Sequence, residues 1–286
     1  MITIAAVERM MAAAEEERIR GRIIGLVPTM GFLHEGHLSL VRESLKRADA
    51  TVVSIFVNPL QFGPKEDFRR YPRDPGRDEG LLEREGVDIL FRPEDLEMYP
   101  EGYRTTVEVS GLQDKLCGRS RPGHFKGVVT VVLKLFNIIR PDYAFFGQKD
   151  AQQAIIIRRL AEDLNLNVRV VVLPIVRERD GLAMSSRNIY LNPEERRAAL
   201  VLSKSLEQAH RMYAGGERQA GFIREQMLRT IGAERRARVE YVEIVDPRDL
   251  EPVDLIKGDV LVALAVFIGS TRLIDNTLLE GKREQP

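Results

Sequence analysis

Ile23-Ile24-Gly25-Leu26-Val27 runs directly into Pro28-Thr29-Met30-Gly31-Phe32-Leu33-His34-Glu35-Gly36-His37, and Leu38, Leu40, Val41 and Leu45 then follow at helical spacing. A short apolar run, a Gly-containing loop and a 3.6-residue period read as strand, loop and helix. The alternation repeats. Further strands are expected at 51–57, 87–91, 143–146 and 168–172, and helices over 38–47, 78–85, 128–139 and 152–164. Such β-α-β repetition predicts an α/β fold with a doubly wound parallel sheet. Ligands of these sheets lie outside the carboxyl ends of the strands. The unusual segments are found there: 28–37 follows the first strand, 58–62 the second and 147–150 the fourth.

Beyond Leu173-Pro174 the pattern changes. A polar segment over 177–188 leads to Asn192-Pro193-Glu194-Glu195, which has the cap, first-turn proline and acidic residues of a helix start. Helices are expected over 194–213 and 219–231, separated by Gly215-Gly216, and strands over 239–245 and 259–267. The expected division is therefore residues 1–175 as the doubly wound domain and 176–286 as a smaller α+β domain, which suits a chain of 286 residues.

Composition narrows the function. Hydrophobic residues make up 44% and charged residues 30%, far from the disordered regime. Lys plus Arg (43) equals Asp plus Glu (43), so no bulk charge draws the chain to nucleic acid or to an anionic membrane. The longest apolar runs, such as 262–268, are far shorter than the roughly 20 residues a spanning helix needs. The single cysteine, Cys117, cannot form an intrachain disulfide, and the opening residues lack a signal peptide's apolar stretch, so a cytoplasmic location is expected.

His34 and His37 stand three residues apart at a helix start, where both rings face one ligand. The free N–H groups and the positive dipole end make an anion the natural guest. For each histidine taken alone, a helix cap is the plainer reading. A metal pair competes with the anion, but no neighbouring Asp, Glu or Cys supplies a third ligand at a familiar spacing. Met184-Ser185-Ser186-Arg187-Asn188 sets two hydroxyls beside a guanidinium, donors suited to phosphate oxygens, although a surface turn with a cap has the same composition. Lys149, in Gly147-Gln148-Lys149-Asp150, is placed to neutralise charge on a transferring phosphoryl group, or is a solvated turn lysine. Asn58 and Gln61 are amides amid apolar residues and suit a polar, uncharged ligand surface. Arg121 and His124, in Arg121-Pro122-Gly123-His124-Phe125, and Tyr71, in Tyr71-Pro72-Arg73, each read alone as structural. Walker-type loops and a Gly-x-Ser-x-Gly elbow are absent.

Together these motifs, with Phe56-Val57-Asn58-Pro59, Gln61-Phe62 and Arg272-Leu273-Ile274-Asp275-Asn276, give the chain a resemblance to the pantothenate synthetase family along almost its whole length. The resemblance implies a Rossmann-like first domain, a C-terminal domain acting as a lid, a homodimer, ATP as co-substrate and magnesium. It implies an ATP site at Met30, Gly31, Phe32, Leu33, His34, Glu35, Gly36 and His37, at Gly147, Gln148, Lys149 and Asp150, and at Val176, Met184, Ser185, Ser186 and Arg187. His34, His37, Lys149, Ser185, Ser186 and Arg187 would stabilise phosphate charge. Pantoate would meet Gln61 and Gln153, β-alanine would enter near Gln61, and Asn58, Tyr71, Arg121 and His124 complete the substrate residues. Where some members carry consecutive acids after Tyr-Pro-Arg, this chain has Arg77-Asp78-Glu79, which leaves Asp78 as the nominee for magnesium. The other readings are a nucleotidyltransferase acting on a phosphorylated acceptor, and a noncatalytic nucleotide-binding regulator.

Overall fold

The computed structural model describes residues 1–64 and 66–281; the last five residues of the expected second domain lie outside them. Two compact units form: one of Met1–Asp114, Gly118–Gln148 and Gln152–Val176, the other of Lys115–Cys117, Lys149–Ala151 and the chain from Arg177 onward.

The first unit is built on a six-stranded parallel sheet. In chain order, β1 (Ile2–Ile4) and α1 (Val7–Ile19) precede β2 (Ile24–Thr29), α2 (Glu35–Arg47) and β3 (Ala50–Ile55). Then come α3 (Pro75–Glu85), β4 (Ile89–Phe91) and two short helices, α4 (Asp95–Met98) and α5 (Leu116–Ser120). After these, α6 (His124–Ile139), β5 (Tyr143–Gly147), α7 (Ala151–Asp163) and β6 (Arg169–Leu173) follow. The sheet order β1-β4-β3-β2-β5-β6 reverses between β2 and β5, so the fold is the doubly wound α/β arrangement expected from the sequence. Strands β2 to β4 are buried along nearly their whole length, as strands covered on both faces must be. Val27, Val53 and Leu90 of the sheet pack with Leu40 and Val41 of α2 and Leu82 of α3.

The switch point is opened by the backbone. Strand β2 pairs with β3 as far as Thr29↔Ile55, but with β5 only at Gly25↔Tyr143 and Leu26↔Ala144. Pro28 lies beyond that last pair and has no N–H to extend a ladder. Pairing between the two strands thus ends before their carboxyl ends, at the switch point from which 30–37 begins.

The second unit has its own core. Helices α8 (Pro193–Ala198), α9 (Leu200–Ala214) and α10 (Ala220–Gly232) precede an antiparallel sheet of β7 (Ala237–Val245), β8 (Val260–Ile268) and β9 (Thr271–Leu279), in the order β7-β8-β9. Leu202, Leu206, Ile223 and Met227 pack on Val242, Val262, Leu264 and Val266. The single helix expected over 194–213 is two, meeting at Ala199. Helix α2 starts at Glu35 and α6 at His124, three and four residues earlier than their apolar periods announce.

Candidate active site

The His34 to His37 segment folds as a reciprocal cap. The Gly36 N–H donates to His34 Nδ1 at 3.2 Å, and the His34 N–H donates to His37 Nδ1 at 3.2 Å. The ring centroids are 4.0 Å apart. A backbone N–H can only donate, so each Nδ1 holds a lone pair and each neutral ring carries its proton on Nε2. Histidine thus does the work usually given to Ser or Asp at an N-cap, and both Nε2–H groups become donors at the positive end of α2.

The approach to this cap is held by Asp78, the buried side chain at 1% exposure near the start of α3. Its Oδ2 accepts from the Phe32 N–H at 2.6 Å and its Oδ1 from the Leu33 N–H at 2.8 Å. Arg77 donates to the Leu33 carbonyl at 2.9 Å and stacks its guanidinium 5.3 Å from the Phe32 ring centre. Gly31, at φ +77°, lets the chain turn here; a Cβ would meet Ile55 at 2.9 Å and Asp78 at 3.1 Å. Burial pushes the Asp78 carboxyl above its usual range, against the pull of the Leu33 and Phe32 amides and the Arg77 charge. Both oxygens are thus committed to the loop, a different task from the magnesium contact for which the sequence nominated Asp78. No group of three or more His, Cys, Asp or Glu stands together to hold a metal among the described residues. The residues present do not fit a protein-held magnesium.

Beside β3, a second polar cluster surrounds Gln61. Asn58, fully buried, caps the turn of Pro59–Gln61. Its Oδ1 accepts from the Tyr99 hydroxyl at 2.8 Å and the Leu60 N–H at 3.3 Å; its Nδ2 donates to Gln61 Oε1 and to the Gly127 carbonyl, both at 3.1 Å. Gln61 Nε2 is then turned toward Met30 Sδ at 3.0 Å. The Gln61 carbonyl accepts from His124 Nδ1 at 2.8 Å and from Arg121 at 3.3 Å. Arg121 also donates to His124 Nε2 at 2.9 Å, so His124 carries its proton on Nδ1, and grips Glu66 through two bonds of 2.7 and 2.6 Å. Tyr71 is buried against Phe62, with ring centres 6.0 Å apart. Gln153 is half-buried on α7.

The second unit holds Lys149, Asp150 and Met184 to Arg187, while Gly147, Gln148 and Val176 belong to the first. Lys149 Nζ lies 3.3 Å from Asp150, and the Lys149 carbonyl accepts from Asn276 Nδ2 at 2.9 Å. The polar segment over 177–188 is a built loop. Arg177 pairs with Ala183 across a β-bridge and clasps the buried Asp275 through bonds of 2.7 and 3.0 Å. Ser185 caps the turn Ser186–Tyr190, accepting from the Arg187 N–H at 3.3 Å. Asn188 Nδ2 ties that turn to Glu178 at 2.8 Å and to the Ala183 carbonyl at 3.1 Å. Met184 and Val176 are half-buried, and Ser186 is buried.

The structure thus gathers Met30, Asn58, Gln61, Arg121 and His124 around one turn, Phe32 and Leu33 around Asp78, and His34 to His37 in their own cap. Sequence reasoning missed Tyr99 and Glu66, whose partners lie 41 and 55 residues away, as well as the loop role of Asp78.

A strand-order reversal beside β2, with a histidine-capped helix start following that strand, is the arrangement of nucleotide-binding α/β proteins. The sequence profile of Pantoate-beta-alanine ligase matches residues 2–278. The chain is 58% identical to the pantothenate synthetase of Pelotomaculum thermopropionicum over 98% of its own length and 99% of that protein's. The crystal structure of the Thermus thermophilus pantothenate synthetase superposes with a TM-score of 0.93 at 44% identity, covering 97% of this chain and 99% of that one. The Francisella tularensis pantoate-beta-alanine ligase, complexed with beta-gamma ATP and beta-alanine, superposes with a TM-score of 0.81 at 33% identity, covering 97% of each chain. The chain belongs to the pantoate-beta-alanine ligase family and is an enzyme of that family.

Proposed function

We propose that this protein condenses pantoate with β-alanine, consuming ATP and releasing AMP and pyrophosphate through a pantoyl adenylate. Pantoate's carboxylate, with a pKa of about 4, is ionised at neutral pH and needs no general base. One of its oxygens attacks the α-phosphorus, the bond to the α,β-bridging oxygen breaks, and pyrophosphate departs with that electron pair. Negative charge grows on the nonbridging and leaving oxygens. His34, His37, Lys149, Ser185, Ser186 and Arg187 are the donors assigned to that charge. The amine of β-alanine then attacks the acyl carbon and loses a proton, and AMP leaves with the acyl–oxygen bonding pair. A neutral imidazole is suited to accept that proton.

The observation that carries this reading is the reciprocal cap, in which both Nδ1 atoms accept backbone N–H groups; the Nε2–H donors this implies at the positive end of α2 suit phosphate oxygens. The ATP and β-alanine of the Francisella complex support the same substrates here. Magnesium enters only as the companion of ATP's phosphates, and no step depends on a protein-held ion. Gln61 and Gln153 are assigned to pantoate, with Gln61 also at the β-alanine entry. The lid role of residues 176–286, the homodimer and a cytoplasmic location belong to the same proposal; among the described residues no helix is long and apolar enough to cross a membrane. Incubation with ATP, magnesium, pantoate and β-alanine, each omitted in turn, tests it. AMP and pantothenate should appear only in the complete mixture at full rate, and pantoate-independent AMP formation would refute the assignment.

A further inference from the structure

Among the described residues, Gln61 Nε2 meets no oxygen acceptor; its hydrogen bond goes to the weak thioether acceptor of Met30 at 3.0 Å. What keeps this buried amide facing that way is Asn58, and Asn58 is a saturated residue. Its two amide hydrogens go to Gln61 Oε1 and the Gly127 carbonyl, and its oxygen takes the Leu60 N–H and the Tyr99 hydroxyl. The Leu60 N–H and the Gly127 carbonyl each have one possible role, so they fix which end of the Asn58 amide is oxygen. That choice fixes Gln61: its oxygen must face Asn58 Nδ2, and its NH2 must face away. The shortest of the four Asn58 bonds is the one from Tyr99, at 2.8 Å.

Tyr99 is built to make that bond. Its ring sits 6.0 Å from Phe56 and 5.0 Å from Tyr103, centre to centre, and Lys134 Nζ lies 5.8 Å from its ring centre and 4.9 Å from that of Tyr103. Burial, with the charges of Tyr103 and Asp95, pushes the phenol well above its usual range, so the hydroxyl keeps its proton and stays a donor.

We propose that Tyr99 is a positioning residue for pantoate selection, acting through Asn58 to aim the Gln61 amide donors at a hydroxyl or carboxylate oxygen of the acid. The proposal rests on the assignment of Gln61 to pantoate. Tyr99 touches no substrate in this account; its hydroxyl steadies the Asn58 amide whose flip the Leu60 N–H and the Gly127 carbonyl set, and so holds in place an amide two hydrogen bonds away.

The test is a double-mutant cycle on kcat/KM for pantoate at saturating ATP and β-alanine, using Tyr99→Phe, Gln61→Ala and both together. A neutral hydrogen bond corresponds to a loss of about three- to tenfold. Tyr99→Phe should lower kcat/KM for pantoate by that factor, leave KM for ATP unchanged, and add nothing further in the Gln61→Ala background. Tyr103→Phe, which alters the same aromatic group without touching Asn58, should leave pantoate kinetics unchanged. If Gln61→Ala weakens pantoate and Tyr99→Phe does not, or if the two losses multiply in full, the positioning role of Tyr99 is wrong. An equal Tyr99→Phe loss for ATP and pantoate would also overturn it, as the mark of a merely structural defect. If Gln61→Ala leaves pantoate unaffected, the assignment of Gln61 itself falls, and the role of Tyr99 with it.

Discussion

Each histidine of the 34–37 segment does two jobs with its two nitrogens. Nδ1 closes the cap of α2, and Nε2 carries the ring's proton at the helix start. Replacing His37 with Ala removes both. The lost cap should cost about 1 kcal/mol, visible as a modest fall in thermal midpoint. Adenylation should slow on the order of a hundredfold or more, the cost of losing one transition-state donor. His37→Gln separates the jobs, because a glutamine at this position can reach back to the His34 N–H and restore the cap. We expect its thermal midpoint to return toward wild type while single-turnover adenylation stays slow. Near-normal adenylation in both variants would remove the histidine from the chemistry. At Gln61 the expected effect is selective: Gln61→Ala should weaken pantoate more than ATP, because the acid's oxygens lose the buried donor. Isothermal titration with each ligand separately reads that difference, and equal losses would count against the assignment.

Elements hold these residues by close approach. Gly127 of α6 lies against the turn of Pro59–Gln61, where a Cβ would stand 2.3 Å from the Leu60 carbonyl oxygen and 2.6 Å from the Gln61 nitrogen. Gly127→Ala should therefore push the turn away, costing about 1–3 kcal/mol of stability and weakening pantoate with it. Unchanged denaturant midpoints would show that the contact is slack. The Arg121 clamp on Glu66 has a pH signature. Burial raises the Glu66 carboxyl, but the Arg121 hydrogen bonds and charge outweigh it, so its pKa lies below the ordinary value. A depressed folded pKa gives stability that is present above the unfolded value of about 4.3 and is lost as pH falls through the folded one. The thermal midpoint of Glu66→Gln should therefore trail that of wild type at neutral pH and converge with it as pH drops below about 4. A gap that stays constant with pH would mean that the ion pair is not the source.

At this scale, legibility followed burial. Strands β2 to β6 were readable because strands in a doubly covered sheet are nearly continuous apolar runs. Strand β9 was not, because it carries the buried Asp275 and Asn276 and reads as a polar motif. Helix α1 buries only Met10 and Ala14 and shows little apolar period. The first turn of α2 lies outside the apolar period over 38–47 but was legible from the spacing of His34 and His37; its histidine cap falls outside the Ser, Thr, Asp and Asn pattern that usually marks a helix start.

Across the whole molecule, a doubly wound sheet carries the 30–37 segment at its switch point, and a separate unit carries Lys149 and Ser185 to Arg187. The residue types of the candidate site were legible as motifs, since Gly-rich loops after strands announce themselves. Their supporting partners were not. Asp78 lies 46 residues from Phe32, and Tyr99 lies 41 residues from Asn58, so only the folded chain shows that one carboxylate and one phenol govern the geometry of two loops. The central claim is that this scaffold activates pantoate as its adenylate. Pantoate labelled with oxygen-18 in its carboxylate tests it most directly. After turnover, mass spectrometry should find one labelled oxygen in the phosphate of AMP and one retained in the amide carbonyl of pantothenate. Label in inorganic phosphate accompanied by ADP, or AMP with no label at all, would contradict the account.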